Sequence, residues 1–130
     1  MAHVLIVDDD EDIRVSTRAV LEDIGGHTVF EAPDGLTALN ILRTSEQSLV
    51  VLLDLLMPSL DGIGVLEAVA ADEALARRHA YVLITVSRRA TAKEFPESLA
   101  LAVPVVPKPY DLEVLLETVA EAHSRIGGGS

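Results

Sequence analysis

Five consecutive acids, Asp8-Asp9-Asp10-Glu11-Asp12, follow directly on the apolar run Val4 to Val7. Acids serving only solubility would be spread over the surface, so this crowding asks for a local cause. Three more residues stand in comparable places: Asp54 closes the apolar run "LVVLLD", Thr85 closes "YVLIT", and Lys108 follows "VPVV" across Pro107. If folding gathers Asp8, Asp9 and Asp54, each carboxylate pair at about 4 Å repels by about 4 kcal/mol at an effective dielectric of about 20. A cation is then required. Oxygen ligands without His or Cys select a hard ion, and a few carboxylates with positions left for water and phosphate oxygens suit octahedral Mg²⁺. Such an ion beside a carboxylate, a hydroxyl and an ammonium group is an arrangement for phosphoryl transfer, which depends on positioning and charge neutralisation. Asp54 is the expected nucleophile, because it stands alone at its run while Asp8 and Asp9 are placed as ligands. Asp10, Glu11 and Asp12 are expected to cap and begin a helix.

The elements that would carry these groups can be read from periodicity. Val4 to Val7 and "LVVLLD" lack polar alternation and read as strands covered on both faces. Ile13, Thr17, Val20, Leu21 and Ile24 recur at helical spacing until Gly25-Gly26 stops them. "HTVF" reads as a second strand, and "DGLTALNILRT" as a second helix with Leu36, Leu39, Ile41 and Leu42 on or near one face. "GIGVLEAVAADEALA" reads as a third helix, "YVLIT" as a fourth strand, "ATAKEFPESLA" as a weak helix disturbed by Pro96, and "VPVV" as a fifth strand. "DLEVLLETVAEAHSRI" closes the fold as a fifth helix. Five strands alternating with five helices imply an α/β protein, a doubly wound parallel sheet with helices on both faces. Ligands of such sheets bind outside the carboxyl ends of the strands, which is where Asp8, Asp9, Asp54, Thr85 and Lys108 fall.

The totals agree with one domain, spanning 1–125, followed by a flexible Gly-rich tail at 126–130. Of 130 residues, 49% are apolar, which argues against disorder. A formal net charge of −11 repels phosphate backbones and anionic lipid, so direct nucleic-acid or membrane binding is not expected. With no cysteine, no signal-peptide pattern and no apolar stretch of about 20 residues, the expectation is a cytoplasmic protein.

The segments "VLIVDDDEDIR", "DLLMPSLDG", "LIT" and "PKPYD" together resemble the response-regulator receiver domain of two-component signalling, over Val4 to about Arg125. The resemblance implies a flavodoxin-like sheet of order 2-1-3-4-5, an order that belongs to the family and that the residues alone do not fix. It implies that Asp54 accepts a phosphoryl group from a phosphohistidine on a sensor histidine kinase or phosphotransfer protein. Asp8 and Asp9, with Asp54 and the backbone carbonyl of Leu56, would hold Mg²⁺. Lys108, aimed by a cis bond to Pro109, would pair with Asp54 and then with phosphoryl oxygens. Thr85 would hydrogen-bond the phosphoryl group and convert its charge into a reshaped surface for a downstream protein target. Such a domain is a signalling protein, not a metabolic enzyme, although it catalyses its own phosphorylation and dephosphorylation.

Each residue has a plainer reading. An isolated acidic run is usually a solvated helix start, Thr85 alone a strand residue, Lys108 a surface residue, and "MPSLDG" a turn. Their coincidence at successive strand ends favours the site. His3, His27, His79 and His123 lack ligand spacing and read as structural or exposed. The chain departs from the family at three places: Val86 stands where Ala or Gly is usual, Val105 replaces a switching aromatic, and "FPESLALAVP" lacks a Gly-Ala pair. Two alternatives stay open. A small Mg²⁺-dependent phosphatase of haloacid-dehalogenase type would use Asp8 and Asp10 but finds Asp12 where Thr or Val is wanted. A docking receiver would use the same fold without phosphorylation.

Overall fold

The computed structural model describes residues 1–57, 59–85, 104–107 and 111–128, and of residues 85, 105, 107, 127 and 128 the backbone alone. The strands are β1 (His3–Val7), β2 (Thr28–Ala32), β3 (Leu49–Asp54), β4 (Ala80–Thr85) and β5 (Val105–Pro107). The helices are α1 (Glu11–Asp23), α2 (Gly35–Thr44), α3 (Gly62–Ala70), α4 (Glu73–Arg78) and α5 (Leu112–Gly128). All pairings are parallel, in the order β2-β1-β3-β4-β5.

The uninterrupted apolar strands bury both faces, because successive side chains point to opposite sides of a sheet. Leu5, Val7, Val51, Leu53 and Leu83 face one layer, packed by Leu39 and Leu42 of α2, Val65, Leu66 and Val69 of α3, and Leu75 of α4. Val4, Ile6, Val50, Leu52, Val82 and Ile84 face the other, packed by Leu21 of α1 and by Leu115, Val119 and Ala122 of α5. Leaving β1, the chain moves to β2 on one side, and β3, β4 and β5 then extend the other side. The direction of winding therefore reverses between β1 and β3, where a doubly wound sheet opens a crevice at its carboxyl edge.

Three details differ from the sequence-based expectations, and a fourth expectation is untested. The third helix is two, because Asp72 adopts an extended backbone and its side chain accepts from the amides of Ala74 and Leu75, starting α4 afresh. The segment expected as a fourth helix lies outside the described residues. Ile24 and Leu36, expected on buried faces, are exposed: Ile24 is the C-cap of α1, and Leu36 lies in the first turn of α2, while Ala38, Leu39 and Leu42 fill the interior. Finally, α5 continues through Gly128, past the start of the expected tail, because Ile126 still packs against the core.

Candidate functional site

Register alone levels the acids with one another. Val7 pairs with Leu53, so Asp8, the next residue, comes level with Asp54, which in turn pairs with Ile84. The Asp8 amide continues the ladder by donating to the Ala32 carbonyl at 3.1 Å. Thr85 pairs with Pro107 one step further along, so the backbone brings Thr85 to the same edge. The side chains of Thr85 and Val105, and the whole of Val86, Lys108 and Pro109, lie outside the described residues.

One carboxylate oxygen from each of Asp8, Asp9 and Asp54 lies within 4.8 Å of the others. Asp8 is buried, Asp54 half-buried and Asp9 exposed, so the cluster reaches water through Asp9. Ile6, Ile13, Thr17, Leu52 and Ile84 line a small recess beneath Asp8 and Asp54, giving the acids an apolar floor. Even at 4.8 Å each pair repels by about 3.5 kcal/mol at an effective dielectric of about 20. Three all-oxygen donors, open on the solvent side, fit a hard divalent ion that keeps some of its waters.

The rest of the acidic run divides as expected. The Asp10 carboxylate accepts from the amides of Asp12 at 2.9 Å and Ile13 at 3.3 Å, making it the N-cap of α1, with Glu11 and Asp12 in the first turn. A side chain committed to capping does not serve as the second aspartate of a haloacid-dehalogenase site, and Asp10 is absent from the carboxylate cluster.

The loop after Asp54 is shaped by residues whose role the sequence concealed. The Leu56 amide donates to Asp54 Oδ1 at 3.4 Å, which places Leu56 at the site. The Gly62 amide donates to the Leu55 carbonyl at 2.9 Å, and a Cβ on Gly62 would come within 2.5 Å of the Asp54 carbonyl oxygen. A Cβ on Gly35 would meet the Leu60 carbonyl oxygen at 2.3 Å. Ser59 holds φ at 69°, the left-handed region that side chains other than glycine seldom occupy. The described residues Ser59 to Gly62 thus form a clamp that sets the backbone under Asp54. Gly62 was visible as turn chemistry; nothing in the sequence marked Gly35.

The histidines stand apart from this edge. His79 is buried, its Nδ1 accepting from the Leu49 amide and its Nε2 donating to the Leu42 carbonyl, and burial pushes its pKa down. His27 accepts from the Ala2 amide and is lowered by burial and by the nearby amino terminus. Both are structural. Burial likewise raises the Tyr81 phenol, which donates to the Leu75 carbonyl.

A family model described as the response regulator receiver domain matches residues 4–120. The chain belongs to that family. As a receiver domain it is similar to the chemotaxis protein CheY of Pseudomonas aeruginosa, 34% identical over 96% of this chain and 98% of that one. It is also similar to the transcriptional regulatory protein CseB of Streptomyces avermitilis, 33% identical over 98% of this chain but 52% of that regulator. Among solved structures, a CheY-like receiver domain from Methanospirillum hungatei superposes with a TM-score of 0.80, at 28% identity over 95% of each chain. The receiver domain is a signalling module of two-component systems, and the phosphatase alternative is not favoured. Among the described residues, no helix is long and apolar enough to cross a membrane.

Proposed function

We propose that this receiver domain is switched by phosphorylation of Asp54. The supporting observation is the meeting of three carboxylates from the ends of two neighbouring strands within 4.8 Å, above a largely apolar floor at the reversal point of the sheet. Asp8, Asp9, Asp54 and the Leu56 carbonyl would hold Mg²⁺, which would supply neutralisation of the acids and polarisation of the phosphoryl oxygens. An Asp54 carboxylate oxygen attacks the phosphorus of a phosphohistidine on a sensor kinase or phosphotransfer protein. The new O–P bond forms as the N–P bond breaks, and the imidazole leaves. Lys108 pairs with the phosphoryl oxygens, while Thr85 donates its hydroxyl to them and draws the β4 end inward, changing the surface offered to a downstream protein. Attack by water on the aspartyl phosphate resets the domain. With its net charge of −11, the domain acts through protein contacts in the cytoplasm and not by touching nucleic acid or lipid.

Intact-mass measurement after incubation with acetyl phosphate tests this. Wild type should gain one phosphoryl group only when Mg²⁺ is present, and Asp54→Asn should gain none. Labelling that survives Asp54→Asn but is lost in Asp8→Asn supports the phosphatase chemistry instead. No labelling by acetyl phosphate or by any candidate kinase supports a docking receiver.

A further inference from the structure

Asp8 is held at more points than its strand requires. Its amide is bound to Ala32 of β2, and its Oδ1 accepts from the Asp10 amide at 2.9 Å. Its carbonyl accepts from Arg14 Nη1 at 2.7 Å, a charge-assisted bond from the first turns of α1. Arg14 is itself fixed: its Nε donates to Glu31 Oε1 at 3.1 Å, and the other oxygen of Glu31 accepts from Arg18 Nη1 at 2.9 Å. The Arg14 and Glu31 side chains are only 14% and 24% exposed, so this is not a loose surface pair. The Asp8 carbonyl shares a rigid peptide plane with the Asp9 amide. Fixing that oxygen fixes the plane and with it the Asp9 Cα from which the side chain leaves the loop. Asp9 is the exposed member of the cluster, with the least packing to hold it.

We infer that Arg14, oriented by Glu31, is a positioning residue that aims Asp9 and Asp8 at the cation site through the Asp8–Asp9 peptide. The inference rests on the Mg²⁺ reading given above. Position and charge make opposite predictions here. As a nearby positive charge, Arg14 would oppose cation binding, and its removal would tighten it; as a positioning group, its removal weakens it. Glu31, of opposite charge, should shift the affinity in the same direction as Arg14 if both act through geometry.

The test is calorimetric titration of Mg²⁺ alone, without phosphoryl donor, into wild type, Arg14→Met, Arg14→Lys, Glu31→Gln and Arg18→Met, with urea midpoints measured in parallel. Outer-shell partners typically contribute 10–100-fold to metal affinity, so Arg14→Met should weaken binding by about tenfold. Arg14→Lys, whose single ammonium nitrogen lacks the separated Nε and Nη1 donors, should fall in between. Glu31→Gln, which replaces one of the two accepting oxygens by a donor, should weaken binding by less than Arg14→Met. Arg18→Met removes a positive charge from the same carboxylate without touching Asp8, and should leave the affinity unchanged. Equal or tighter binding by Arg14→Met, opposite shifts in the Arg14 and Glu31 variants, or losses that track the urea midpoints across all variants would overturn the inference. Failure of wild type to take up Mg²⁺ would remove the underlying reading, and the inference with it.

Discussion

Replacing Asp54 by Asn should make the metal-free protein more stable, even though it removes the group on which function is proposed to depend. Asn keeps the shape and can still accept the Leu56 amide through its Oδ1. What disappears is repulsion with Asp8 and Asp9. At 4.8 Å each pair is worth about 3.5 kcal/mol at a dielectric of about 20 and about 0.9 kcal/mol at the dielectric of water. Asp9 is exposed and Asp54 half-buried, which puts these pairs nearer the lower bound, and the expected pairing of Lys108 with Asp54 offsets part of the gain. A net stabilisation of about 1–2 kcal/mol in low salt and EDTA is expected. Mg²⁺ should reverse the order. An ion held at 100 times its dissociation constant stabilises the form that binds it by about 2.7 kcal/mol, and wild type binds it with one more carboxylate. Urea denaturation of both proteins, with EDTA and with saturating Mg²⁺, reads the crossing directly. A metal-free Asp54→Asn protein no more stable than wild type, or one stabilised by Mg²⁺ equally well, would refute the claim that the three acids are mutually strained and relieved by a cation.

Other consequences follow from the same structure. Gly62→Ala should cost about 1–3 kcal/mol despite the better helix propensity of Ala, because its Cβ meets the Asp54 carbonyl at 2.5 Å. Gly64→Ala, whose Cβ meets no main-chain atom but the Leu60 side chain and the Asp61 carboxylate, should cost less, and urea midpoints of the two variants compare them. Stability should fall on acidification below pH of about 6.5, because the depressed pKa of His79 means the unfolded chain binds a proton that the native state refuses. That loss is at most about 1.4 kcal/mol per pH unit for this residue, and His79→Leu, although weaker at neutral pH, should show a shallower slope between pH of about 5 and about 7. Val86→Ala should speed phosphorylation by acetyl phosphate if the valine methyls narrow the approach to Asp54; unchanged kinetics would remove that role.

Much of the fold was legible because burial on both faces writes a simple signature. Short, unbroken, β-branched apolar runs read as covered strands, and β1 and β3 fall where "VLIV" and "LVVLLD" predict, with Asp54 closing β3. The errors fall where one local preference overrode periodicity. Apolar residues at compatible spacing continue from Ile63 to Ala76, yet Asp72 offers its carboxylate to two downstream amides, and a new helix starts there. Leu36 satisfies the spacing rule but lies in the first turn of α2, outside the packed face. Near the tail, the three glycines of "GGGS" suggested flexibility, whereas Ile126, packed on the core, accompanies a helix that runs through Gly128.

Legibility of the site divides along a physical line between groups that bear charge and groups that bear position. A carboxylate announces itself wherever it stands, since a charge at the end of an apolar strand has a large energy and needs a reason. Asp8, Asp9 and Asp54 were therefore readable from residue order alone. The residues that hold them act through short backbone approaches between distant parts of the chain, and no local pattern encodes a distance. Gly35 yields to the Leu60 carbonyl, Gly62 to the Asp54 carbonyl, and Arg14 reaches the Asp8 carbonyl across the β1–α1 turn. Each of these contacts ends on a main-chain oxygen, which every residue possesses and no sequence distinguishes. A cation site is only as good as the placement of its ligands, so in the proposed site the unannounced residues would decide how tightly the announced ones bind.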